Sequence, residues 1–120
     1  MSKNADNDIL SKAAIAQLRD LGDGDDLLIE IIDLFNAETP KRLDAMADAV
    51  VVANCTELAR VSHSLKSSSA NIGALKLYAV CVEIEATSRG GGTDGMAAAV
   101  AVARREYQSA RAALEELVSR

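Results

Sequence analysis

His63 is the only histidine among the 120 residues. It sits in the run Arg60-Val61-Ser62-His63-Ser64-Leu65-Lys66-Ser67-Ser68-Ser69. On a helix turning about 100° per residue, Leu58, Val61, Leu65, Ser68 and Ile72 share one stripe, with Ser62 and Ser69 beside it. His63 then projects from the opposite face, and its neighbours there are Thr56, Ala59, Arg60, Lys66, Ser67 and Ala70. Apart from the two cations these are small side chains. Neutral imidazole is a nucleophile near neutral pH and, once phosphorylated, a good leaving group. A ring standing clear of its helix, with a lysine one turn on and little bulk around it, is open to a docking macromolecule. That layout suits a phosphoryl carrier.

Other chemistries find no support in the spacing. Ser62 and Ser64 flank His63, but adjacent helical residues project about 100° apart, so neither is placed as the nucleophile of a triad. Gly90-x-Gly92-x-x-Gly95 matches the dinucleotide fingerprint only formally: it follows a helical pattern rather than a strand, and Asp94 would repel phosphate. The acids Asp20, Asp23, Asp25 and Asp26 lack the ligand spacing and closing glutamate of a calcium loop. One histidine and two separated cysteines, Cys55 and Cys81, do not close a zinc site, so no metal ligands are expected. No Walker lysine or kinase motif is present, and a chain without an ATP-binding module is a poor candidate for a kinase on its own.

The elements that must carry His63 are helical. Residues of hydrophobic type make up 49% of the chain, yet there is no Trp, one Phe and two Tyr. The core is therefore aliphatic and rich in Ala, which favours helix. A single Pro and few separated turn signals argue against a sandwich or barrel. The length fits one domain, read as 9–120 behind a flexible polar leader over 1–8. A formal net charge of −5 opposes binding to nucleic acid or an anionic membrane. No apolar run reaches transmembrane length and the polar N-terminus is not a signal peptide, so a cytoplasmic setting is expected. The two cysteines read as reduced thiols.

Ser11 reads as the cap of a first short helix over residues 12–21, with Gly22 as its stop. A second carries Leu27, Leu28, Ile31, Ile32, Leu34 and Phe35 at helical spacing. Thr39-Pro40 reads as N-cap and first turn, so a third helix restarts there or the second one kinks. It carries Leu43, Met46, Ala47 and Val50. The His63 helix runs from about Cys55 to Ile72 and turns at Asn71-Ile72-Gly73. The next runs from about Ala74 to Ser88 with Leu77, Cys81 and Ile84 on one face. After the glycine loop, Met96, Val100, Ala103, Tyr107, Ala110, Leu114 and Leu117 alternate by four and three, a core seam. The sum is an all-α antiparallel four-helix bundle with smaller N-terminal helices packed on it.

His63-Ser64-Leu65-Lys66-Ser67-Ser68-Ser69 resembles the signature of the histidine-containing phosphotransfer (HPt) domain, usually His-x-Leu-Lys-Gly followed by two small residues. Leu34-Phe35 with Thr39-Pro40 is similar to the family's entry into its third helix. Asn71-Ile72-Gly73-Ala74, Leu77, Cys81 and Ile84-Glu85 are similar to its hairpin and following helix. The resemblance covers nearly the whole chain from about Ile9. It departs at Ser67, where the family usually has glycine; i and i+4 share a helix face, so Ser67 falls under the imidazole. Serine leaves most of the room a partner needs, and its hydroxyl has the His63 ring or carbonyl within reach.

The resemblance implies a phosphorelay intermediate that accepts a phosphoryl group on His63 from a receiver-domain aspartate and passes it to another. Nε2 would attack, Lys66 would neutralise phosphoryl charge, and Arg60 would assist or steer the acidic receiver pocket. Thr56, Ala59, Ser67 and Ala70 would permit close approach. The implied partners are response-regulator receiver domains, free or in a hybrid histidine kinase. The divalent metal belongs to the receiver, so no cofactor is expected on this chain, and the helices suffice for a monomer. Two alternatives stand beside this reading: a scaffold bundle that moves no phosphate, and the dimerisation and phosphoacceptor module of a kinase.

Overall fold

The computed structural model describes residues 9–119, and the leader expected over 1–8 lies outside them. Five helices account for the described chain: α1 (Lys12–Leu21), α2 (Asp26–Val51), α3 (Cys55–Ile72), α4 (Leu75–Arg89) and α5 (Met96–Val118). Consecutive long helices pack against each other and α5 closes back on α2, an antiparallel four-helix bundle. The short α1 packs on α2 and α3. An isolated antiparallel bridge joins Leu10 to Ala74, and Ser11 N–H donates to the Gly73 carbonyl at 2.7 Å. The segment before α1 is thereby fastened to the α3–α4 turn.

One expectation is corrected. Residues 26–51 form one unbroken helix of 26 residues, with Pro40 inside it, so a single small helix, not several, lies on the bundle. Pro40 removes one N–H and leaves the Asn36 carbonyl without its usual intrahelical partner. The residue is exposed, so water can reach that side of the helix. On the opposite face Phe35, Thr39, Leu43 and Met46 are buried along one continuous row. Packing of that row outweighs the local restart signal. Thr39 caps nothing: it is buried, and its Oγ1 has no hydrogen-bond partner.

The chain builds α3 from both ends. Asn54 Oδ1 accepts from the Glu57 N–H at 3.1 Å, and Glu57 places a negative charge in the first turn, where the helix dipole favours it. Gly73 ends the helix at φ 79°, a left-handed conformation open to glycine. A Cβ there would also lie 2.9 Å from Ala14 Cβ, so glycine lets α1 approach. Leu58, Val61, Leu65 and Ile72 are buried as the stripe requires. The fully buried Leu58 and Leu65 each contribute about 1.5–3 kcal/mol of transfer free energy. Ser62 and Ser69 are buried too, and each donates to the carbonyl four residues earlier at 2.7 Å, so neither hydroxyl is left unpaired. Ser68 is half-buried and accepts from Arg42 of α2 at 2.9 Å.

Across the bundle α4 buries Leu77, Cys81, Ile84, Glu85 and Ser88. The expected seam of α5 is buried from Met96 to Leu114, and Phe35 meets Tyr107 edge-to-face at 5.6 Å. Its last member, Leu117, is exposed, as is Leu34 of α2, and both line open grooves beside α1. No described helix is long and apolar enough to cross a membrane.

Candidate functional site

His63 stands on the outer face of α3 with 54% of its side chain exposed, as its angular position requires. The ring leans toward α4, and its Nδ1 lies 3.0 Å from Oε2 of Glu85. Glu85 is 8% exposed and gathers two further partners. Lys66 Nζ is 2.7 Å from Oε1, and Arg89, one turn along α4, brings Nε to 2.8 Å and Nη2 to 2.6 Å of Oε2. One carboxylate thus holds an imidazole, an ammonium and a guanidinium.

The pairing fixes protonation on two sides. The Lys66 ammonium is the main reason the Glu85 carboxyl is held down at about 2; burial opposes this, and Arg89 and His63 reinforce it. Glu85 is therefore ionised at every physiological pH and can only accept, so Nδ1 must carry the proton it shares with Oε2. In the neutral ring the lone pair then sits on Nε2, on the side away from Glu85. Beneath the cluster, burial first and Glu85 second push the Cys81 thiol up to about 12. A thiol so poor in thiolate is inert.

The other expected site residues divide. Thr56, Ala59, Arg60 and His63 come together with Ser88, Arg89 and Gly91 around a groove of about 800 Å³ beside the ring. Ala59 is not an exposed shoulder of the outer face: at 6% exposure it forms part of the groove floor. The physical reason is α4, which lies against that side of α3 and covers the methyl while leaving the longer His63 free. Arg60 is exposed and spent locally, forking onto Glu57 at 2.9 and 2.7 Å. Ser67 is exposed, and its hydroxyl bonds neither the ring nor the His63 carbonyl. Ala70 lines a separate apolar groove with Leu21 and Leu34, between α3 and the first two helices. Among the described residues no group of three or more His, Cys, Asp or Glu side chains is arranged to hold a metal ion.

Glu85 and Arg89 were not singled out by sequence as site residues. The signal was there in part. Glu85 falls beside the apolar row Leu77, Cys81, Ile84, one turn on from Cys81, and Arg89 follows at i+4, the spacing of a helical ion pair. What sequence spacing does not give is the helix across from it.

The chemistry this arrangement supports is nucleophilic: an exposed imidazole of fixed tautomer, backed by an acid and flanked by two cations. Comparison with known proteins agrees. The Hpt domain model matches residues 30–119. The fold matches histidine-containing phosphotransfer protein B from Pseudomonas aeruginosa with a TM-score of 0.85 at 24% identity, covering 92% of this chain and 94% of that one. It also matches the histidine-containing phosphotransfer protein MtHPt2 from Medicago truncatula with a TM-score of 0.82 at 25% identity, covering 92% of this chain and 78% of that one. No curated protein sequence is significantly similar to the chain. With three-quarters of its length matched and its lone histidine presented on the bundle's outer face, the chain belongs to the Hpt domain family, a family of phosphotransfer modules in phosphorelays.

Proposed function

We propose that His63 accepts a phosphoryl group from the aspartate of one response-regulator receiver domain and passes it to the aspartate of another. The observation that carries this reading is the contact between Nδ1 and Glu85. It leaves Nε2 as the nucleophile, turned toward a docking partner. In the forward step the Nε2 lone pair forms the N–P bond. The P–O bond to the receiver aspartate breaks, and its electron pair leaves on the aspartate carboxylate. Nδ1 keeps its proton throughout, so the phosphorylated ring carries a positive charge that faces Glu85. In the return step neutral imidazole departs, a better leaving group than an imidazole anion.

Lys66, one turn on from His63 and paired with Glu85, supplies the charge neutralisation of the equatorial oxygens that a loose transfer state needs. Arg60, bound to Glu57, is a steering charge for an acidic receiver pocket rather than a transfer group. The domain acts as a monomer over 9–120, in the cytoplasm, without an ATP site or cofactor of its own.

The test is transfer from phosphorylated receivers to the wild type and to His63→Gln, following acid-labile, base-stable label. Label on the wild type alone is expected. Receivers that bind without transferring label to the wild type would replace this reading with that of a scaffold.

A further inference from the structure

Glu85 is more heavily engaged than a carboxylate needs to be. Oε2 alone faces three nitrogens, His63 Nδ1 at 3.0 Å and Arg89 Nε and Nη2 at 2.8 and 2.6 Å. An oxygen with two lone pairs does not satisfy three donors well. Lys66 occupies Oε1. Arg89 is 59% exposed, so its guanidinium has open space to swing into. The only other cation at the groove, Arg60, is committed to Glu57. Two positive charges are therefore parked beside the ring on a negative one.

We infer that Glu85 is a cation store, holding Lys66 and Arg89 while His63 is free and yielding them to the phosphoryl oxygens when Nε2 is charged, so that this competition sets how far transfer favours the phosphorylated protein. The inference rests on the phosphotransfer reading of His63. A phosphoryl group adds about −1.5 to −2 in charge and three strong acceptors that compete with Glu85 for the same two long side chains. The direct effect of Glu85 nearly cancels, since it attracts the positive ring and repels the phosphoryl beyond it. What remains is the contest for the cations. A carboxylate that keeps a share of them leaves the phosphohistidine less stabilised and more readily surrendered, which is the property a two-way carrier requires.

Glu85→Gln separates this from a positioning role, because the amide oxygen still accepts from Nδ1–H while the charge that holds the cations is gone. The readouts are the equilibrium constant for exchange with a receiver aspartate, which does not depend on ring positioning in the transition state, and the lifetime of phosphohistidine. The lifetime is measured by ³¹P NMR after charging with phosphoramidate, so no receiver is needed. Glu85→Gln is expected to move the equilibrium about tenfold toward the phosphoprotein and to lengthen the lifetime several-fold. In a Lys66→Met/Arg89→Met background the same change should have no effect. An unchanged equilibrium and lifetime, or a shift that persists without the two cations, overturns the store. If the wild type is charged by phosphoramidate but by no receiver, the relay reading falls and the lifetimes alone decide the store. A ring that takes phosphate from neither source overturns both.

Discussion

Glu85→Gln also tests whether the carboxylate is ionised and paired in the folded protein, through stability against pH. The folded Glu85 is held at about 2, against an ordinary 4.5. Between those values the unfolded chain binds the proton that the folded chain does not. The stabilisation is therefore complete above about pH 4.5 and is lost as pH falls toward 2. At about 1.4 kcal/mol per unit, the whole shift corresponds to about 3 kcal/mol. Solvent reduces it, because the partners covering the carboxylate are themselves partly in water: 27% exposed for Lys66, 54% for His63, 59% for Arg89. A net figure of about 1–2 kcal/mol is the expectation.

For a chain of this size that loss lowers Tm by about 4–8 °C at pH 7. Urea unfolding followed by helical circular dichroism, from pH 7 down to pH 2.5, gives the profile for wild type and variant. The two curves should lie apart at pH 7 and converge progressively from pH 4.5 toward pH 2.5, as the unfolded chain takes up the proton that the folded carboxylate still refuses. Curves that coincide at pH 7, or that stay parallel down to pH 2.5, would refute the argument that Glu85 is a paired carboxylate.

Three further outcomes follow from the geometry. His63→Gln should shift Tm by no more than about 4 °C, because the ring is half in water and its half-buried bond to Glu85 is screened from the ring side; thermal unfolding checks this alongside the loss of phosphoryl acceptance. Ser67→Arg should block receiver docking by putting a long cation one turn from the ring, whereas Ser67→Gly should be tolerated; equal transfer rates in the two variants would place Ser67 outside the docking surface. Gly73→Ala should destabilise by about 1–3 kcal/mol, from a positive φ and a Cβ pressed against Ala14, and hydrogen exchange should show the loosening concentrated in α1.

How much was legible depended on the range of the interactions. The bounds of α3 are local: an asparagine cap, a glycine stop and an apolar row between them, all present within the segment itself. The position of His63 on the outer face is likewise fixed by angle alone. Pro40 shows the limit. Thr39-Pro40 carries a correct local signal for a helix start, and it lost to a buried row running through both sides of it. Ala59 shows a different one. Angular arithmetic assigns a face to each residue, but the width of the covered sector is set by the neighbouring helix, and α4 reaches far enough round to bury a methyl next to an exposed imidazole.

Glu85 joins these two cases, and stability accounts for it only in part. Replacing a buried ionic cluster with apolar side chains of similar volume is often neutral or stabilising. Apolar side chains in place of Glu85, Lys66 and Arg89 together would contribute about 1.5–3 kcal/mol each where buried, against about 1–2 for the carboxylate with its partners. The stabilisation the acid gives is therefore of the size an apolar side chain could supply, and the fold alone does not select it. What the acid adds lies at His63: an acceptor for the Nδ1 proton, and a negative charge that pairs Lys66 and Arg89 on the ring's Nδ1 side. A charge set against an apolar row, where an apolar residue would serve the fold as well, is itself a sign of chemistry on the facing helix.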